Sequence, residues 1–561
     1  MFEIFFYSIL ILILFTPFGY FLIQNFESNL YGFSKQLIFG SVILSFLAIT
    51  IHFFFPLNLI TNSIILIFSL IILIKKRKSY FTKNFIIFLT LQSLLITILI
   101  TESHVYRPDA GLYHLPFIGI LNAEKINLGI SNIHERYGHT SIIQYFSAIS
   151  INFLFDDFGI VFAQAIIAVS VMINFSYLVY NYVKKKIFNF HFYFLFFILI
   201  YIFYKMNRYG EYGNDAPAHF LFYFLISELI LHIEDKNSSN IINNLIITLF
   251  IIQNKVLLIS VLIFNFINIP KINFKKIIYE KNLYFLIILF FFWAINNVLS
   301  TGCMLYPVKV TCFESLSWTS MEKIEQISIA SEAWAKGWSV LNQATKDKID
   351  QLRFIENFYW LKIWSKTHLQ LILKILLPYI IVVFLIILFL NKKSQKKISD
   401  TYKKLNTKKY EKYLILFAVF NVLFWFLKAP IYRYGYSTII TLIALSAAYF
   451  MSRKKIDYQL MNKLVITIFI IGFSVIFIKN QYRIIKSNND YVNYPWPRYY
   501  SMDNSNEMTN FKVQKLKDKD ILIPINGYCM YLKKICGHYP LYKNLDIKKI
   551  RNYDILYLKN R

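Results

Sequence analysis

The sequence is poor in charge. Only 16% of its 561 residues are Asp, Glu, Lys or Arg, against about a quarter in an ordinary soluble domain, which excludes a conventional water-soluble globule. Glycine-rich phosphate loops are absent, as are heptads and solenoid periods, so nothing points to a P-loop enzyme, a coiled coil or a repeat array. Cysteine is scarce: Cys303 with Cys312 and Cys529 with Cys536 form two close pairs. Neither has the C-x2-C spacing of the competing zinc reading, whereas both permit disulfides if their segments face an oxidising compartment. The first residues, MFEIFFYSIL, lack a basic leader and a small-residue cleavage site, so they are expected to be a span.

What fills the chain is apolar surface: 57% hydrophobic and 19% aromatic residues. Runs such as FFYSILILILFTPFGYFLI and FIIFLTLQSLLITILI approach the ~20 residues a helix needs to cross a bilayer. Lipid offers backbone groups no water to bond, so these runs must be helices. The expected fold class is therefore an all-α polytopic membrane protein whose immediate partner is the lipid bilayer. The formal charge of +29 would suggest nucleic acid in a soluble protein. Here the lysines cluster in short connections between apolar runs, as cytoplasmic loops require, and no nucleic-acid partner is expected.

The basic loops at 75–78, 184–186, 271–281, 392–412 and 453–455 set the topology. Counting helices between them gives about fourteen spans with both termini outside. Three regions follow: additional N-terminal helices at 1–83, a transmembrane core at 84–478 with outer loops 101–157, 206–216 and 300–368, and a tail at 479–561. The stretch at 140–155 is expected to lie as a helix along the outer interface. The tail, with strand-like DILIPI and YDILYL, is expected to be a small extracytoplasmic α/β appendage, although Lys479, Arg483 and Lys486 at its start argue for the cytoplasm.

The outer loops carry the polar chemistry. Four of the ten histidines, His104, His114, His134 and His139, fall in loop 101–139 beside Arg107, Asp109, Glu124 and Glu135. Asp109 follows Pro108 and precedes Ala110 and Gly111, which constrains the backbone and leaves room for a ligand. Partial desolvation is expected to raise its pKa toward a general base's range; the competing role is a helix cap. The second outer segment holds Arg208, Glu211, Asp215 and His219, either a second acidic mouth or a polar turn. The third, WFLKAPIYRYGYS, carries Lys428 and Arg433 with almost no acid nearby, suiting a phosphate unless they are snorkelling anchors. Lys255, between two short apolar runs, has the same two readings. Five of the eight tryptophans fall in loop 300–368, as sugar platforms or as interface markers.

At these residues the chain resembles the GT-C superfamily of integral-membrane glycosyltransferases. It is more closely similar to a group of uncharacterised bacterial membrane proteins with a D-x-x-x-Y-H-x-P segment, here Asp109, Tyr113, His114 and Pro116. The likeness covers residues 84 to 450 or so. Three extra spans precede the first outer loop, and the acidic doublet of relatives is here a single Asp109; Asp156 and Asp157 form a doublet at the loop's far end.

The resemblance implies a polyprenyl-phosphate-linked sugar donor and a glycan, lipid or protein acceptor. The transfer would be inverting, on the periplasmic side of the bacterial inner membrane. Asp109 would be the catalytic base, Asp215 the second acid, and Arg433 with Lys428 the phosphate grip, with or without a divalent cation, Mg or Mn. Arg107, His114, Glu135, Glu211 and Lys255 would line the substrate site. The alternatives are a surface-polysaccharide polymerase or ligase, and a lipid-linked glycan transporter or flippase.

Overall fold

The computed structural model describes residues 2–102, 109–139, 141–205, 213–233, 238–271, 274–393, 395–396, 404–486, 511–517, 519–525, 528–537, 541 and 543–559. The chain is predominantly helical and multi-pass. Among the described residues nine helices are long and apolar enough to cross a membrane, and shorter apolar helices at Leu59–Lys75, Phe190–Lys205 and Val256–Ile267 accompany them. The expected spans at 241–252 and 255–269 become helix Ser238–Asn254 and the tighter stretch Val256–Lys271, interrupted at Lys255.

Burial separates central helices from peripheral ones. The span Asp157–Lys184 is 94% buried over its most apolar window, whereas Trp360–Lys392, Lys409–Lys428 and Tyr458–Lys479 are 22% buried. The latter three present Leu, Ile and Phe outward, where lipid takes the place of protein. Aromatic rings fill the centre: Tyr201 meets the edges of Tyr223 and Tyr379, and its hydroxyl pairs with that of Tyr432 at 2.5 Å.

Polar contacts sort into two faces. On one, three of the basic loops meet: Gln395 and Lys396 pair antiparallel with Lys454 and Lys455, and the Lys186 ammonium lies 5.0 Å from the Tyr458 ring. The Lys35–Glu228 ion pair, 2.5 Å and almost fully buried, ties helix ends together near the same face. On the other face the Asn62 side-chain nitrogen lies within hydrogen-bonding distance of the carbonyls of Leu57, Ala148 and Ile151. The tail packs there too, with Tyr553 donating to the Phe53 carbonyl and Lys519 pairing with Glu124 at 2.5 Å. The tail thus shares a face with loop 101–139.

Two expectations change in detail. Within the stretch expected along the interface, helix Ile142–Ile149 is instead interior, with all eight residues buried. It tolerates burial because its polar groups are satisfied: Tyr145 donates to Asn296 at 3.0 Å, Ser147 to the Ile143 carbonyl, and Gln144 to His114. In the tail, strands Phe511–Leu516 with Lys519–Pro524 and Leu545–Ile550 with Tyr553–Leu558 form two antiparallel hairpins. No helix follows Lys486 among the described residues. Both cysteine pairs are disulfide-bonded.

Asn62 provides a test of this packing. Asn122 also donates to the Leu57 and Ala148 carbonyls, so Asn62→Leu chiefly strips a donor from the Ile151 carbonyl and should destabilise the protein by about 1–3 kcal/mol, lowering its thermal midpoint in detergent. An unchanged midpoint would show that this carbonyl finds another partner.

Candidate functional site

Segments far apart in the sequence converge on one cavity. Asp109 immediately precedes a π-helical turn, Ala110–His114, that runs into helix Leu115–Ala123. Asp215 is the first residue of helix Asp215–Leu231. Lys255 occupies the break after Asn254, Glu332 lies on helix Met321–Ala335, and Arg433 sits in the first turn of helix Tyr432–Met451. All five, with His114 and Lys428, line a cavity of about 640 Å³.

Arg433 is the hub. Its Nη1 donates to Asp109 Oδ2 at 2.6 Å, its Nε stands 4.0 Å from Asp215 Oδ2, and its Nη2 donates to the Tyr434 hydroxyl at 3.1 Å. The other Asp215 oxygen pairs with the Lys255 ammonium, which also lies 4.1 Å from the Tyr434 ring. Acid and cation thus alternate: Asp109, Arg433, Asp215, Lys255. The Arg433 Nε–H makes no hydrogen bond, so one donor of the fork is unused.

This arrangement corrects the expectation of unpaired cations. Arg433 and Lys255 are paired with the two acids, and Lys428 stands 3.5 Å from Glu332, which also accepts from Lys336 at 2.6 Å. Lys255 does not snorkel: it is 6% exposed. The lining itself carries Arg136, Lys255, Lys309, Lys428 and Arg433 against Asp109, Asp215 and Glu332, with Arg136 and Lys309 facing Glu135 and Glu325 just outside it at 3.7 and 2.5 Å. Such a cavity favours an anion.

Asp109 is not a helix cap, since its side chain bonds no backbone N–H of the following turn. Nor is its pKa raised. Burial pushes the carboxyl up, but the Arg433 guanidinium, supported by His114 and the Tyr113 hydroxyl, outweighs burial and holds it below the ordinary aspartate value. The desolvation foreseen from the sequence is real; the arginine that reverses its effect lies 324 positions away.

Two of the loop histidines, His114 and His139, are neutral constituents of the wall. Burial lowers His114 to about 4, against the pull of Asp109 and Asp215, and lowers His139, also in the lining, to about 3. His134 instead accepts from the Arg136 amide at 3.0 Å, shaping the turn Glu135–Gly138. That turn sends Arg136 to the cavity wall and leaves Glu135 out of it. Asp157 of the acidic doublet is also elsewhere, paired with Lys533 at 2.8 Å. Arg107, Glu211, His104 and Arg208 lie outside the described residues.

Sequence reasoning missed Glu332 and Tyr434. Glu332 lies in SEAWAKGW, where its i,i+4 spacing from Lys336 reads as an ordinary helix pair and gives no signal of a site. Of the tryptophans in loop 300–368, Trp334 reaches the cavity, with the Arg433 guanidinium 5.8 Å from its ring; Trp318 and Trp364 donate to the carbonyls of Val298 and Pro430. Asp109 and Asp215 already face cations, and no group of three potential metal ligands occurs among the described residues.

The ion pair makes a spectroscopic prediction. A depressed carboxyl keeps its pairing above the ordinary aspartate range and loses it only as pH falls through the lower folded value. Asp109 should therefore give a carboxylate infrared band at pH 5, assigned by difference against Asp109→Asn. Arg433→Gln leaves burial unopposed and should move intensity to the protonated band. A protonated Asp109 at pH 5 in the unsubstituted protein would contradict the pairing.

No curated protein and no solved structure matches the chain. A family model does, over residues 1–440, a stretch that contains every acid and cation of the cavity. The chain belongs to the family described as Domain of unknown function (DUF8201).

Proposed function

We propose that this protein is a membrane glycosyltransferase that moves a sugar from a polyprenyl-phosphate-linked donor to a cell-surface glycan, lipid or protein acceptor. The observation that carries the reading is the convergence of Asp109, Asp215, Lys255 and Arg433 on one cation-rich cavity. In this proposal the roughly fourteen-span topology holds, the basic loops are cytoplasmic, and the cavity opens to the periplasmic side of a bacterial inner membrane.

The mechanism starts from the paired state of Arg433. A donor phosphate entering the cavity offers the guanidinium a bidentate partner, and Lys428 adds a second cation at the same wall. As Arg433 turns to the phosphate, Asp109 loses the neighbour that depresses its pKa, and burial then raises its basicity. The acceptor oxygen attacks the anomeric carbon while Asp109 takes its proton. The bond from that carbon to the phosphate oxygen breaks, the electron pair leaves with the polyprenyl phosphate, and the anomeric centre inverts. A phosphate leaves as a stable anion, so no general acid is needed and the paired carboxylates of a glycosidase are not required. Asp215 keeps Lys255 in place and returns Arg433 after release.

A flippase would call for ionisable residues at mid-membrane. The buried Lys35–Glu228 pair is the nearest to that description, but it lies five residues into helix Leu30–His52, toward the basic-loop face. A polymerase or ligase shares the cavity's anion preference and differs in having no use for Asp109 as a base.

Asp109→Asn should reduce transfer by about 10²–10⁴-fold, the scale of a general base, while membrane insertion is unchanged. The measurement is mass analysis of surface glycans and lipid-linked intermediates from cells with the protein, without it, and with the variant. Accumulation of a lipid-linked sugar in both deficient strains is expected; transfer retained by the variant removes Asp109 from its role.

A further inference from the structure

The segment that follows Asp109 has a carbonyl its own helix does not satisfy. The turn Ala110–His114 is wound in π register, with the Leu115 amide bonded to the Ala110 carbonyl. The next bond in that register would run from residue 116 to the carbonyl of Gly111. Residue 116 is proline and has no N–H, and a buried carbonyl without a partner is costly.

The partner comes from the far end of the chain. The Met530 amide donates to the Gly111 carbonyl at 2.9 Å, from inside the loop closed by the Cys529–Cys536 disulfide. Further contacts seat this loop on the same segment. The Leu532 carbonyl backs onto Gly119, where any Cβ would come within 1.9 Å of that oxygen. The Tyr137 hydroxyl donates to the Cys536 carbonyl at 2.5 Å, and the Tyr531 hydroxyl reaches Asp157 at 3.1 Å. Gly111, Gly119 and Tyr137 belong to the stretch that carries Asp109, His114 and Arg136 to the cavity. The loop itself lies beyond the residues the family model matches.

We propose that the disulfide-closed loop 529–536 is a positioning element of the site: its Met530 amide takes the Gly111 carbonyl that Pro116 leaves open, and so holds the turn that aims Asp109 at Arg433. The tail is then part of the site rather than an appendage, and opening the disulfide loosens the Asp109 turn without altering any residue of the cavity. The catalytic consequence rests on the role assigned to Asp109 above; the structural coupling does not.

Hydrogen–deuterium exchange on the full-length protein in lipid nanodiscs tests the coupling. Peptides covering 109–116 are compared in the unsubstituted protein, in Cys529→Ser/Cys536→Ser, and in that variant with Pro116→Ala, which gives residue 116 an amide of its own. Cysteine replacement should speed exchange of the turn about tenfold, the scale of one hydrogen bond, and Pro116→Ala should bring it back. Gly119→Val, which displaces the loop with its cysteines intact, should reproduce the loss, and reduction of the folded protein serves if the serine variant does not assemble.

Unchanged exchange at 109–116 after the loop opens, a rise spread evenly over all the helices, or no recovery with Pro116→Ala overturns the proposal. Transfer activity, followed in the same variants, should fall and recover with the exchange rate. If Asp109→Asn retains transfer, the reading of Asp109 fails while the exchange result stands by itself.

Discussion

One guanidinium holds the site together. Arg433 enters from the first turn of helix Tyr432–Met451 and meets carboxylates from two other parts of the chain, Asp109 and Asp215. A partly buried cation of this kind needs acceptors, and truncating one of them would leave charge stranded. The constraint is therefore mutual: the acids keep Arg433 inside the cavity wall, Arg433 keeps Asp109 ionised, and Lys255 with Arg433 does the same for Asp215. Tyr434 braces the group from one side, with its hydroxyl on Nη2 and its ring beneath Lys255.

The same hub reconciles two demands on the proposed reaction. A phosphate grip needs available cations, and a base needs a pKa that is not depressed; with Arg433 paired to Asp109 neither is met, because the grip and the base are bonded to each other. Exchange of Arg433 from Asp109 to a phosphate meets both at once. The surplus of lining cations lets an anion enter without displacing every acid. His114 and His139, neutral through burial, add hydrogen-bonding groups to the wall without adding charge.

Fold class was legible because lipid imposes it: apolar runs near twenty residues must be helical. Three of the five basic loops, at 184–186, 392–412 and 453–455, do meet, as the Lys186–Tyr458 contact and the short pairing of residues 395–396 with 454–455 show. Helix Ile142–Ile149 was misplaced because composition cannot tell an interface from a polar-satisfied interior; the partners that permit its burial, Asn296 and His114, lie elsewhere in the sequence. Asp109, Asp215, Lys255, Lys428 and Arg433 were each visible as charges amid apolar sequence. Their pairing was not, since it depends on contacts between residues 40 to 324 positions apart. Glu332 was hidden by its i,i+4 lysine, which made it look like an ordinary helix-surface pair. The tail's contact with Gly111 follows from Pro116 only once the register of the preceding turn is known.

The most direct test of the account is a structure of the full-length protein in nanodiscs with undecaprenyl phosphate as the probe. The phosphate should sit on the Arg433 guanidinium, with Lys428 nearby, the Asp109–Arg433 pair opened, and the Asp109 carboxylate free to face the remaining cavity. A phosphate bound elsewhere with that ion pair intact would contradict it.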